Sequence, residues 1–103
     1  MNTKYRVNYY FSALITKHLV IKETNARITY HRDPITDAVN EFDKNELIPL
    51  TENKLSMYHS WHDTLEDAQE HLILHNKKKI ESLLRQIRYL ESNIEKVKNI
   101  KKF

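Results

Sequence analysis

The chain has 103 residues, with 30% charged and 40% hydrophobic side chains. That is enough for one small core and too short for two independent ones. No apolar run reaches the ~18 residues a membrane span needs, and no signal-peptide core opens the sequence. Cys is absent, which removes disulfides, thiol nucleophiles and zinc ribbons and points to a reducing cytoplasm.

Gly is absent as well, where ordinary usage would supply about seven. The P-loop, the dinucleotide fingerprint, the kinase loop and the G-x-S-x-G elbow are therefore excluded, because each needs Gly for a close backbone approach. Charge falls into three blocks. Residues 1–32 set six Lys/Arg against Glu23, a net +5, and residues 33–70 set ten acids against Lys44 and Lys54, a net −8. Residues 77–103 set nine Lys/Arg against Glu81, Glu91 and Glu95, a net +6. The overall +3 thus hides an acidic middle and does not describe a uniform polyanion-binding surface.

The first sixty residues read as strands. Tyr5, Val7, Tyr9 and Phe11 alternate with Arg6, Asn8, Tyr10 and Ser12, the period of a half-buried strand. A second strand is predicted over 18–23, with Leu19 and Ile21 on one face, and residues 12–17 either continue the first strand or bend. Thr24-Asn25 marks a turn in which Asn25 takes the positive φ usually left to Gly. A third strand follows at 27–32, with Ile28 and Tyr30 on one face.

Asp33-Pro34 allows two readings. One is a short helix capped by Asp33, with Ile35, Val39 and Phe42 on one side. The preferred one is a hairpin leading to a strand near 38–42, with Tyr30 and Phe42 flanking a meander. A loop interrupted by Pro49 spans 46–53, and a last strand spans 54–60. Thr64 then caps a helix predicted from Leu65 to about Lys101. Acids at its start and lysines at its end complement the helix dipole. Trp61 is positioned to anchor the helix start to the sheet.

The helix carries a heptad seam. Ile73, Ile80, Ile87 and Ile94 recur every seven residues, and Asn76, Leu83, Leu90 and Val97 follow each by three. Ile at a with mainly Leu at d suits a parallel two-stranded coiled coil, while Leu84 at e widens the stripe. A helix of this length runs roughly 55 Å at ~1.5 Å per residue, whereas a short strand spans only ~20 Å. Leu65, Ala68 and Leu72 suffice to dock its start, so the stripe from Ile80 to Ile100 is expected to project into water. Burying each Leu or Ile is worth about 1.5–3 kcal/mol, so a partner surface is the expected remedy. The simplest partner is a second copy. The alternative is a helix broken near His75-Asn76 that folds back on itself, with Lys77, Lys78 and Lys79 in the bend.

Other chemistries are less well supported by the residue pattern. His71 and His75 stand at i and i+4, with His59, His62, Asp63 and Asp67 nearby, but there is no H-E-x-x-H and no Cys, so no metal site is assigned. Lys77, Lys78, Lys79, Arg85, Arg88, Lys96, Lys98, Lys101 and Lys102 make the distal helix basic, which gives nucleic-acid binding as the alternative function. Tyr5 and Tyr9 read as core residues instead of stacking platforms. The paired acids Asp63/Asp67 and Glu66/Glu70 read as caps and dipole partners, and no nucleophile–base–orienter set stands out, so no enzyme is expected.

The run Trp61-His62-Asp63-Thr64-Leu65-Glu66-Asp67-Ala68, with Leu72 after it, resembles small phage and bacterial proteins. In these a short sheet leads through W/F-x-x-T-x-E-x-A into a long charged helix. The resemblance implies a mobile-element setting, in which such chains bind and block host machinery, including restriction or CRISPR defence.

The expectation is an α+β chain, with a small antiparallel sheet of four or five strands followed by one long C-terminal helix. Residues 1–72 form the sheet with the docked helix start, and 73–103 the coiled-coil-like extension of the same domain. The expected function is non-enzymatic protein interaction without cofactor. The seam residues are Ile73, Ile80, Leu83, Leu84, Ile87, Leu90, Ile94 and Val97, and they pair two chains as a homodimer that also meets a host protein.

Overall fold

The computed structural model describes residues 2–36 and 44–101. Among the described residues five strands precede one α-helix: β1 (Thr3–Asn8), β2 (Ile15–Glu23), β3 (Arg27–His31), β4 (Pro49–Asn53), β5 (His59–His62) and α1 (Leu65–Lys98), with a 3₁₀ turn at Lys44–Glu46. The layout is α+β, as the sequence predicts. All pairings are antiparallel, in the order β4-β3-β2-β1-β5. The chain resolves into two compact units, Met1–Leu72 and Ile73–Phe103, with α1 running from one into the other.

The sheet is curled. Trp61 N–H donates to the Lys54 carbonyl at 3.0 Å and Ser56 N–H to the His59 carbonyl at 3.0 Å, which ties the end of β4 to β5. Leu55 bridges Ser60 beside them. The Glu52 carboxylate of β4 accepts from Arg6 of β1, at 2.7 Å from Nε and 3.1 Å from Nη2. In a flat sheet those strands, three places apart, would lie ~14 Å from each other. The contact is possible only because the strand ladder bends nearly back onto itself.

Curling gives the sheet an inner and an outer face. Inside, Val20, Ile28 and Tyr30 are buried with Trp61 packed on them. Outside, Val7 is buried against Ala68 and Leu72 of α1, with Tyr5, Tyr9 and Ile15 around them. Cross-strand register follows from period-two alternation: Val7 sits opposite Ile15 and Ser60, while Arg6 sits opposite Trp61. Trp61 therefore faces away from the helix, and the expected anchoring of the helix start by Trp61 is corrected. Leu65, expected to dock, is exposed, and Ala68 and Leu72 carry that contact.

Several boundaries differ from the sequence reading. β1 stops at Asn8 because its buried side-chain amide donates to the Ala13 carbonyl at 3.1 Å and to Thr16 Oγ1 at 3.1 Å, which closes a loop. Tyr10 and Phe11 consequently stand exposed on that loop, where a continuing strand was expected. Pro49 opens β4 where a loop was expected; at the first position of an outer strand it lacks no needed donor. The strand expected over 54–60 is a turn as far as Tyr58, because Ser56 Oγ accepts from Tyr58 N–H at 3.1 Å and His59 N–H at 3.2 Å, and the strand starts only at His59. Asn25 needs no positive φ, since no described residue has one. Thr24 closes that turn, its N–H donating to the Arg27 carbonyl at 2.8 Å and its Oγ1 accepting from Arg27 N–H at 3.1 Å. Residues 33–36 carry neither helix nor strand, and the strand or helix face expected at 38–42 lies outside the described residues.

The helix begins as expected. Thr64 Oγ1 accepts from Asp67 N–H at 3.1 Å, the N-cap bond. Helical structure runs unbroken through His75 and Asn76, so the fold-back alternative is excluded, and it ends at Lys98, short of the expected Lys101.

Glu52→Ala would leave the Arg6 guanidinium and the Trp61 indole N–H without their acceptor. It should cost about 2–3 kcal/mol in urea unfolding, below the value for a fully buried pair because both groups keep some exposure. Arg6→Met combined with Glu52→Leu should recover part of that loss.

Candidate functional site

The seam residues lie on the second unit of the chain. Ile73, Ile80, Leu83, Leu84, Ile87, Leu90, Ile94 and Val97 are all between 46% and 66% exposed, values that leave each side chain open to a partner. They recur at i, i+3, i+4 and i+7, so an unbroken helix lines them along one flank. Near its end Leu90, Ile94 and Val97 edge a shallow apolar groove together with Asn93 and Lys98. Asn76 is the polar member of the series and is also exposed.

The basic residues of the alternative site occupy the same helix. Lys77, Lys78, Lys79, Arg85, Arg88, Lys96 and Lys98 are exposed. Lys98 lies 3.7 Å from the Glu95 carboxylate, an i,i+3 pair. Leu84, Arg85 and Arg88 share one local surface with Glu81, so apolar and basic residues interleave there.

The first unit holds polar groups that the sequence did not single out. Glu52 is the hub inside the curl, accepting from Arg6 and also from Trp61 Nε1 at 2.8 Å. Burial pushes its carboxyl up, but those two hydrogen bonds and the Arg6 charge outweigh it and hold the group below the usual carboxylate range. Arg6 also donates to the Asn8 side chain. His18 lies between Tyr30 and Trp61, with ring centroids at 5.1 and 5.6 Å. Its Nδ1–H donates to the His31 carbonyl at 2.9 Å, so in the neutral ring Nε2 accepts from Thr16 Oγ1 at 2.9 Å. Arg6, Asn8, Thr16, His18, Tyr30 and Arg32 line a cavity of about 260 Å³. Both guanidiniums there already face carboxylates, Arg6 with Glu52 and Arg32 with Asp33.

A second polar group lies on the outer face. Tyr9 Oη contacts His71 Nε2 and donates to Ser60 Oγ at 3.3 Å, and Ser60 Oγ is 2.8 Å from His62 Nε2. The His62 and His71 rings stand 4.6 Å apart. Ser60 beside His62 has the spacing of a nucleophile and its base, but Ser60 is only 2% exposed, which closes it to substrate. Of the histidines considered as ligands, His59 is bonded at Nε2 to the Asn53 carbonyl at 2.7 Å. Among the described residues no three His, Asp or Glu side chains converge on a point. No described helix is long and apolar enough to cross a membrane.

No family matches the chain, and no curated protein or solved structure does so either.

Burial, with the Arg6 charge adding to it, lowers the His18 pKa, and burial with the His71 charge lowers that of His62. Both folded-state values lie below that of the unfolded chain, so the unfolded state takes up protons first as pH falls. The stability these neutral rings contribute is complete above about pH 6.5 and is lost as pH drops below it. Urea midpoints should therefore fall from pH 7.5 towards about pH 5, and His18→Gln should make that decline shallower.

Proposed function

We propose that this chain is a non-enzymatic protein-interaction module that self-associates through the exposed seam of α1. The observation that carries the reading is the row of Ile and Leu at heptad spacing, all half-exposed on an unbroken helix. Water contact along such a row forgoes about 1.5–3 kcal/mol for each side chain that a partner would cover. A second copy brings the same row, and a two-helix seam accepts Ile at a with Leu at d. The setting implied by the resemblance around Trp61–Ala68 is a mobile element whose product modulates a host complex in the cytoplasm. The polar network inside the curl then serves the scaffold that carries the helix.

A second reading rests on the exposed basic residues of the same helix, from Lys77 to Lys98. It makes the chain a nucleic-acid-binding accessory protein. Salt separates the two, since phosphate contacts weaken steeply between about 50 and 200 mM salt and an apolar seam does not.

Sedimentation equilibrium should give a dimer for the wild type and a monomer for Ile87→Asp. Tyr89→Asp alters an exposed residue off the seam and should leave the dimer intact. Equal masses for the two variants, or a monomeric wild type, would remove the self-association reading.

A further inference from the structure

We infer that the two helices of the dimer run antiparallel, with the two-fold axis crossing the seam at the level of Arg85, between Leu84 and Gln86. This orientation rests on the self-association reading and adds the partner's direction and register to it. Antiparallel helices set each a residue opposite a d residue. With the axis at Arg85, Ile73 meets the partner's Val97, Ile80 the partner's Leu90 and Ile87 the partner's Leu83. Every position of the seam is then used, and the one polar layer, Asn76 against the partner's Ile94, falls near the ends where its amide reaches water.

The flanking positions choose this register. Residues at e meet e across an antiparallel pair. Lys77 is then opposite the partner's Glu91, an ion pair formed twice by symmetry, and Leu84 is opposite its own copy. Leu84 is exposed beside the seam and has no place in a strict a/d stripe, but at the axis it becomes part of the apolar contact. Sliding one heptad either way sets Lys77 against the partner's Lys98 or against its Leu84, and strands Ile73 or Ile94 respectively.

A parallel pair does worse with the same residues. Its flanks join g to the partner's e, which brings Lys79 beside Leu84, Gln86 beside Glu91 and Asn93 beside Lys98. None of these joins opposite charges, and the Leu84 side chain lies under an ammonium. The preference for Ile at a and Leu at d distinguishes two-stranded from higher parallel assemblies and does not decide direction.

The chain has no Cys, so introduced thiols report by themselves. Ile80→Cys and Leu90→Cys are made as separate full-length chains, then oxidised alone and after mixing. The antiparallel pair predicts a disulfide-linked dimer in the mixture only, because like positions lie about 15 Å apart along the axis, beyond disulfide reach. Ile73→Cys with Val97→Cys repeats the test near the helix ends, in case thiols at the inner layers weaken the pair. Cross-linking of each variant alone would establish parallel helices, and a dimer that cross-links in neither mixture would refute the register. A wild type that sediments as a monomer would instead overturn the self-association reading beneath it.

Discussion

The contact on which the first unit depends is the Glu52 carboxylate spanning the curl. It accepts from Arg6 on β1 and from the Trp61 indole on β5 while belonging to β4. β4, which a flat sheet would hold far from the neighbouring pair β1 and β5, therefore meets both of them at one acceptor. The geometry is demanding because charge in a partly buried place must be paired with well-directed donors. Both guanidinium nitrogens that reach Glu52 do so at hydrogen-bond distance, and the tilted Tyr30–Trp61 ring contact, with centroids 4.7 Å apart, closes the apolar side of the same space. A second clasp works at the β2 end, where Glu23 accepts from Lys4 and Lys54 at 2.8 and 2.7 Å and is held below the usual carboxylate range by them.

Curling explains how so small a sheet can use both faces. The inner one mixes aliphatic, aromatic and charged groups, and every buried side-chain nitrogen and oxygen there has a partner among the described residues. The outer one offers Val7 to the first turns of α1, where Ala68 lets the helix backbone come close and Leu72 completes the contact. The Thr64 cap fixes where that helix starts.

The elements differed in how legible they were. The long helix and its cap could be read directly, because a run without Gly or Pro, opened by Thr and acids, has few alternative conformations. β3 was legible from alternation, but β2 begins at Ile15, not at 18, and buries His18 and Val20 while Ile21 of the expected face is exposed, because the inside of the curl lies on the other side of that strand. β1 was read four residues too long, since Tyr9, Tyr10, Phe11 and Ser12 continue the pattern while the Asn8 amide closes the backbone behind them. The strand read over 54–60 starts only at His59 for a similar reason: Leu55 and Met57 alternate like a strand, yet Ser56 captures two backbone N–H groups and turns the chain. Local side-chain hydrogen bonds of this kind compete with the ladder and leave no periodic trace.

The amino-acid order by itself determined the helix, the spacing of its apolar flank and the exclusion of glycine-dependent phosphate loops, because these depend on neighbours within a turn or two. It could not pair Arg6 with Glu52, which lie 46 residues apart, nor turn Trp61 away from the helix it precedes. Those facts arise only when β4 and β5 close on each other, since which face of a strand becomes an interior is decided by the curvature of the whole sheet and not by the strand's own alternation.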